Sequence, residues 1–161
     1  MTRLPSLGPR GQGWVAIQVV LLAAVALAGM VMPGDWSDPG AAVAWLVGVA
    51  LCAAGGGLFG GGLSELRRGD AFTPLPRPLD GARLVESGVY RLVRHPVYGG
   101  LVLGAFGWAL IRESIPTLLA ATALFLFFDL KRRREEAWLV ARFAGYGDYR
   151  ARTRRLIPWI Y

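Results

Sequence analysis

Gly13-Trp14-Val15-Ala16-Ile17-Gln18-Val19-Val20-Leu21-Leu22-Ala23-Ala24-Val25-Ala26-Leu27-Ala28-Gly29-Met30-Val31-Met32 carries no charge. As a helix rising about 1.5 Å per residue, such a run of about 20 residues spans roughly 30 Å, one hydrocarbon thickness of a bilayer. In lipid every backbone N–H and C=O must be satisfied within the protein, which a helix does by itself. Pro33-Gly34 ends the helix. The run is too long for the apolar core of a signal peptide, and Met30-Val31-Met32-Pro33 is not a small-residue cleavage site.

The rest of the chain repeats the pattern. Of the 161 residues 54% are hydrophobic, high for a soluble domain of this size. Gly40 to Leu63 is a second uncharged run. Val97 to Ile111 and Ile115 to Phe128 are shorter runs, joined by the turn Arg112-Glu113-Ser114 into a tight helical hairpin. The fourth run ends at Asp129. The fold expected is all-α: a polytopic integral membrane protein with four transmembrane helices. Within the second run, Gly56 and Gly60, like Gly57 and Gly61, have the spacing of close helix–helix contacts in membranes. The other reading of these glycines is a groove left open for a lipid tail.

Charge sets the orientation. The net charge is +7, and all but one of the 18 basic residues are arginine. Arg3 and Arg10, the arginine-rich stretch 64–95 and Lys131 to Arg134 fall on one side of four spans. Asp35, Asp38 and the Arg112-Glu113 turn fall on the other. By the positive-inside rule both termini are cytoplasmic. Arginines that flank apolar runs suit anionic head groups better than nucleic acid, so no nucleic-acid partner is expected and membrane lipids are. The single cysteine, Cys52, lies in an apolar run, so no intramolecular disulfide forms and no metal site is expected.

Residues 64–95 are too long for a simple connection and carry prolines at 74, 76 and 78, which rule out a continuous helix. Lys131 to Arg142 is polar and helical in character, with Lys131–Glu135 and Arg132–Glu136 as opposite charges at i,i+4. From Tyr146 to Tyr161 arginines precede Leu156-Ile157-Pro158-Trp159-Ile160-Tyr161, the composition of a segment lying on the membrane surface.

The chemistry concentrates in Gly88-Val89-Tyr90-Arg91-Leu92-Val93-Arg94-His95-Pro96-Val97-Tyr98-Gly99-Gly100. It holds the only histidine. Pro96 restricts His95 to extended geometry and suits the first turn of a helix, which puts His95 at the cap. Free N–H groups of that turn, with Arg94 and His95, favour an anion. No glycine-rich dinucleotide fingerprint stands in the strand-to-helix setting it needs, which speaks against a soluble-type methyltransferase fold.

Gly88, Tyr90, Arg94, His95, Pro96, Tyr98 and Gly100 resemble the central motif of the isoprenylcysteine carboxyl methyltransferase family. That family is related to membrane phospholipid methyltransferases. A second block is similar too: Glu135-Glu136, Leu139, Phe143, Tyr146, Tyr149 and Leu156-Ile157-Pro158. The resemblance covers roughly residues 64 to 160. It departs in Phe143-Ala144-Gly145-Tyr146-Gly147-Asp148-Tyr149, where the first tyrosine comes one position early. It implies S-adenosylmethionine as cofactor, in a cytoplasmic pocket formed by the 64–95 loop, the start of the third helix and the C-terminal segment. The loop is expected to cover the cofactor. Tyr90, Arg94, His95, Pro96, Tyr98, Gly100, Glu135, Glu136, Tyr146 and Tyr149 are the expected cofactor-binding residues; no catalytic residue is assigned. Arg94, His95 and the helix start suit the cofactor carboxylate. Glu135 or Glu136 suits its ammonium or ribose hydroxyls, and the tyrosines its adenine or sulfonium.

The implied protein is one domain, residues 1–161, with two membrane helices in 1–63 and the cofactor-binding part in 64–161. It is expected in a bacterial inner membrane, transferring a methyl group to a lipophilic or small substrate. A prenylcysteine carboxylate, a phospholipid amine, a thiol and a small isoprenoid acid all stay open. The alternatives are an NADPH-dependent reductase resembling sterol reductases and a non-catalytic protein of the same fold.

Overall fold

The computed structural model describes residues 5, 7–36, 39–75, 81 and 83–161. Arg3, Asp38, Arg77 and the prolines at 76 and 78 lie outside the described residues. The helices are α1 (Gln12–Val31), α2 (Pro39–Arg68), α3 (Pro96–Ile111), α4 (Ile115–Arg142) and α5 (Tyr146–Arg152), with a 3-10 turn at Gly88–Arg91 before α3. The fold is all-α, and among the described residues the one β-type pairing is an isolated parallel bridge between Val93 and Arg154. Helices α1 and α2 are long and apolar enough to cross a membrane, and α3 is a shorter apolar helix.

The most extensive interface joins α2 to α3. Its seam is Gly48, Gly55 and Gly62 on α2 against Gly100 and Gly107 on α3. A Cβ on Gly55 would lie 2.7 Å from the Gly100 carbonyl, and one on Gly107 would lie 2.6 Å from the Gly48 carbonyl. The expected pairs Gly56/Gly60 and Gly57/Gly61 are not the contact. Gly56, Gly57 and Gly60 have nothing near their Cβ positions, and Gly61 meets only the Val89 side chain. The seam repeats every seven residues because that period is close to two full helix turns and keeps its members on one face, whereas a four-residue repeat drifts around the helix.

Helix α4 runs unbroken for 28 residues, roughly 42 Å. The apolar run to Phe128 and the polar stretch from Lys131 are therefore one helix, since neither glycine nor proline occurs between Thr117 and Arg142. Ser114 caps its start, accepting from the Thr117 N–H at 3.3 Å. The apolar half of α4 packs with α1 and α3 in a core that includes Trp14, Val25, Val102, Leu124 and Phe128. The polar half carries Lys131, Arg132, Glu135 and Glu136 beyond that core. At the other end of the bundle, Arg112 Nε donates to the Gly29 carbonyl at 2.8 Å. There Ser114 Oγ donates to the Met32 carbonyl at 2.7 Å.

The C-terminal segment does not simply lie on a surface. Tyr146, Tyr149, Thr153 and Leu156 are buried. Backbone bonds from Arg154 N to Leu92 O (2.9 Å), Arg94 N to Arg154 O (2.9 Å) and His95 N to Arg155 O (3.1 Å) lay residues 153–156 beside the start of α3. Gly99 permits this, for a Cβ there would strike the Leu156 carbonyl. Only Trp159 and Ile160 of the terminal segment keep large apolar side chains in the open.

Candidate active site

His95 is the N-cap of α3 and Pro96 its first residue. The proline has no N–H to lose there, and its fixed φ turns the chain directly into the helix. This puts the imidazole on α3 opposite the polar half of α4. Its Nε2 lies 3.2 Å from Glu136 Oε1 and its Nδ1 3.7 Å from Glu135 Oε2. The ring stacks on Tyr98 at 5.5 Å, and Tyr98 stacks in turn on Phe128 at 4.6 Å.

The two glutamates do different things because neighbouring helix positions point about 100° apart. Glu136 is 5% exposed and takes hydrogen bonds from Arg94 Nε at 3.0 Å and from the His95 ring. Arg132 and Arg150 stand at 3.8 and 3.7 Å. Burial alone would raise the Glu136 carboxyl, but His95 and Arg94 hold it at about 2. Glu135 is more open and accepts from the Tyr98 hydroxyl at 2.9 Å.

Arg94 is committed to the protein. Besides Glu136 it donates through Nη1 to the Arg150 carbonyl at 3.0 Å and to the Thr153 carbonyl and hydroxyl. These bonds tie the motif to α4, α5 and the C-terminal segment.

Beside this cluster is a cavity of about 270 Å³, lined by both motif blocks and by Ala71 to Leu75 and Arg83 to Val85 of the long loop. Tyr90, Arg94, His95, Tyr98, Glu135, Tyr146 and Tyr149 line it; Pro96, Gly100 and Glu136 do not. Pro96 and Gly100 instead meet α2, at Gly62 and Gly55. Tyr149 donates to the Tyr90 carbonyl at 2.9 Å. The Tyr146 hydroxyl is buried and has no hydrogen-bond partner among the described residues. Burial pushes the hydroxyls of Tyr90, Tyr146 and Tyr149 up, so all three are protonated donors.

Lys131 and Gln18 also line the cavity and belong to neither motif block. Lys131 is fully buried, donates from Nζ to Gln18 Oε1 and to the Pro74 carbonyl (3.1 Å), and stands 5.0 Å from the centre of the Tyr98 ring. Burial draws its ammonium down to about 8, against the pull of Glu135. It thereby fastens α1 and the long loop over the cavity. The available signals were compositional: Lys131 is the only lysine, and Gln18 the only amide in the first uncharged run.

The residues fit S-adenosylmethionine. A buried hydroxyl without a partner marks a place where a ligand is expected, since such groups are otherwise satisfied. A half-open carboxylate suits an ammonium or a ribose diol, and the rings of Phe59, Phe72 and Phe143 suit a flat base. Phe59 and Leu101 also border a second, more open and apolar cleft of about 460 Å³ between α1, α2 and α3. Gly56 and Gly104 line it, with nothing close to their Cβ positions.

The Schizosaccharomyces pombe protein-S-isoprenylcysteine O-methyltransferase is 39% identical over 79 residues, which is 48% of this chain and 34% of the relative. The cobalt-zinc-cadmium resistance protein CzcN of Cupriavidus metallidurans is 36% identical over 76 residues, 47% of this chain and 35% of the relative. A probable protein-S-isoprenylcysteine O-methyltransferase of Oryza sativa is 32% identical over 84 residues, 50% of this chain and 44% of the relative. The matched part thus spans between a third and a half of the length of these curated relatives. No solved structure matches. Residues 43–145 match the family model described as phospholipid methyltransferase, and the chain belongs to that family.

Proposed function

We propose that this chain is a membrane methyltransferase that uses S-adenosylmethionine to methylate a lipophilic or small acceptor at the cytoplasmic face. The supporting observation is the cavity that both motif blocks line, with the Tyr146 side chain and the half-open Glu135 carboxylate on its wall. In this reading α1, α2, α3 and the apolar half of α4 are four spans, with both termini and the cavity on the cytoplasmic side. The charge asymmetry of the connections supports that orientation.

Bound S-adenosylmethionine supplies a methyl group already activated by its sulfonium. The protein's work is then to position, desolvate and screen. Glu135 takes the ammonium or ribose hydroxyls, held in place by Tyr98. Tyr146 donates to the ligand, and the phenylalanine rings receive the base. His95 and Arg94 hold Glu136 and the C-terminal segment in place behind the cavity wall. Lys131 keeps the loop over the cavity and water out. The apolar cleft that meets the cavity at Phe59 and Leu101 supports a lipophilic acceptor.

Calorimetry on detergent-purified protein tests the cofactor: S-adenosylmethionine and S-adenosylhomocysteine should bind, and NADPH should not. Transfer of a labelled methyl group to a membrane lipid extract, with the product identified by mass spectrometry, should follow. Absence of binding by either sulfur ligand overturns the proposal.

A further inference from the structure

Trp159 and Ile160 are 79% and 80% exposed, more than any other large apolar side chain among the described residues. They sit at the tip of a turn that is firmly built. Leu156 N and Ile157 N both donate to the main-chain oxygen of Tyr161, at 2.7 and 2.9 Å, and Trp159 takes the left-handed conformation, with φ 60°. A tryptophan adopts that conformation only where the surroundings impose it. Here it aims two apolar side chains away from the protein.

The depth of this turn is readable from its neighbours. The Tyr161 ring lies 5.8 Å from Phe125, inside the apolar half of α4. Its hydroxyl donates to Asp129, the first charge beyond that half, at 2.7 Å. The Leu156 carbonyl abuts Gly99 in the first turn of α3. The turn therefore sits where the apolar bundle gives way to its charged end. Arg154 and Arg155 are exposed beside it.

We propose that residues 154–160 form an interfacial anchor, with Trp159 and Ile160 seated among lipid at the head-group boundary and Arg154 and Arg155 facing anionic phosphates. The inference rests on the membrane-spanning reading above. Tryptophan belongs at that depth because its ring is apolar and its N–H is polar, and arginine belongs there because the cytoplasmic leaflet is negatively charged. The same segment bonds to the backbone of Arg94 and His95, so the anchor fixes the depth at which the cavity meets the bilayer.

Spin labels in phosphatidylcholine bilayers test this. Ile160→Cys and, separately, Leu46→Cys are labelled in a Cys52→Ala background. Collision rates with oxygen, which concentrates in lipid, and with a nickel chelate, which stays in water, report depth. Position 46, exposed in the apolar first half of α2, should favour oxygen, and so should position 160. Oxygen preference at 46 but nickel preference at 160 overturns the anchor. Nickel preference at both overturns the membrane reading itself. Protection of position 160 from both quenchers shows a protein neighbour instead, and also overturns the anchor. Adding phosphatidylglycerol should deepen the label at 160, and Arg154→Gln with Arg155→Gln should abolish that shift. An equal shift without the arginines refutes their part.

Discussion

Arg94 and Glu136, forty-two residues apart in the chain, form a buried ion pair at 3.0 Å. His95 leans on the same carboxylate oxygen from the other side. The bond joins the start of α3 to the polar half of α4, where two of the charged groups that sequence places in separate blocks become one unit.

The two glutamates should therefore fail differently. Glu136→Ala leaves buried cations without their anion and should cost roughly 3–5 kcal/mol of stability. Glu135→Gln should fold like the parent but bind S-adenosylmethionine about ten- to a hundred-fold more weakly, the worth of one charge-assisted hydrogen bond. Thermal unfolding in detergent and calorimetry on both variants check this; equal behaviour of the two contradicts the division of roles.

Acid should undo the same contact. The folded carboxyl of Glu136 is held at about 2 against an ordinary 4.5. A depressed carboxyl contributes stability that is complete above the unfolded value and fades as pH falls through the folded one. The fold should thus lose about 3 kcal/mol between pH 4.5 and about 2. Unfolding midpoints across that range should fall in the parent and change much less in Glu136→Gln.

Among the glycines, Gly55→Ala should destabilise by about 1–3 kcal/mol, since its Cβ meets the Gly100 carbonyl at 2.7 Å and backbone cannot yield cheaply. Gly56→Ala, one position on, meets nothing and should stabilise by up to about 1 kcal/mol. Unfolding of the two variants side by side is the measurement, and a destabilised Gly56→Ala contradicts the seam.

Tyr146→Phe should leave stability unchanged or slightly raised, because the hydroxyl it removes has no partner in the protein. Ligand affinity should drop about two- to ten-fold. Tyr149→Phe should do the reverse: it strands the buried Tyr90 carbonyl and should cost about 1–3 kcal/mol of stability.

Sequence by itself determined the helices and marked the two blocks that the fold brings together. Charge-free runs long enough to span lipid can only be helices there, and Pro96 puts His95 at a helix start whatever surrounds it. The two motif blocks were legible as blocks. Which side chain of each block faces the cavity was not. Glu135 and Glu136 are chemically identical, and only the rotation of α4 against α3 turns one inward to Arg94 and the other toward Tyr98. The helix seam was misplaced for the same reason, since glycine spacing is degenerate until the crossing of α2 and α3 selects Gly48, Gly55 and Gly62. Lys131 and Gln18, 113 residues apart, could be paired only by the packing of α1 on α4. Periodicity along one chain fixes which local element forms; contacts between distant elements depend on how rigid helices dock, and that docking is set by the shape of all their faces together.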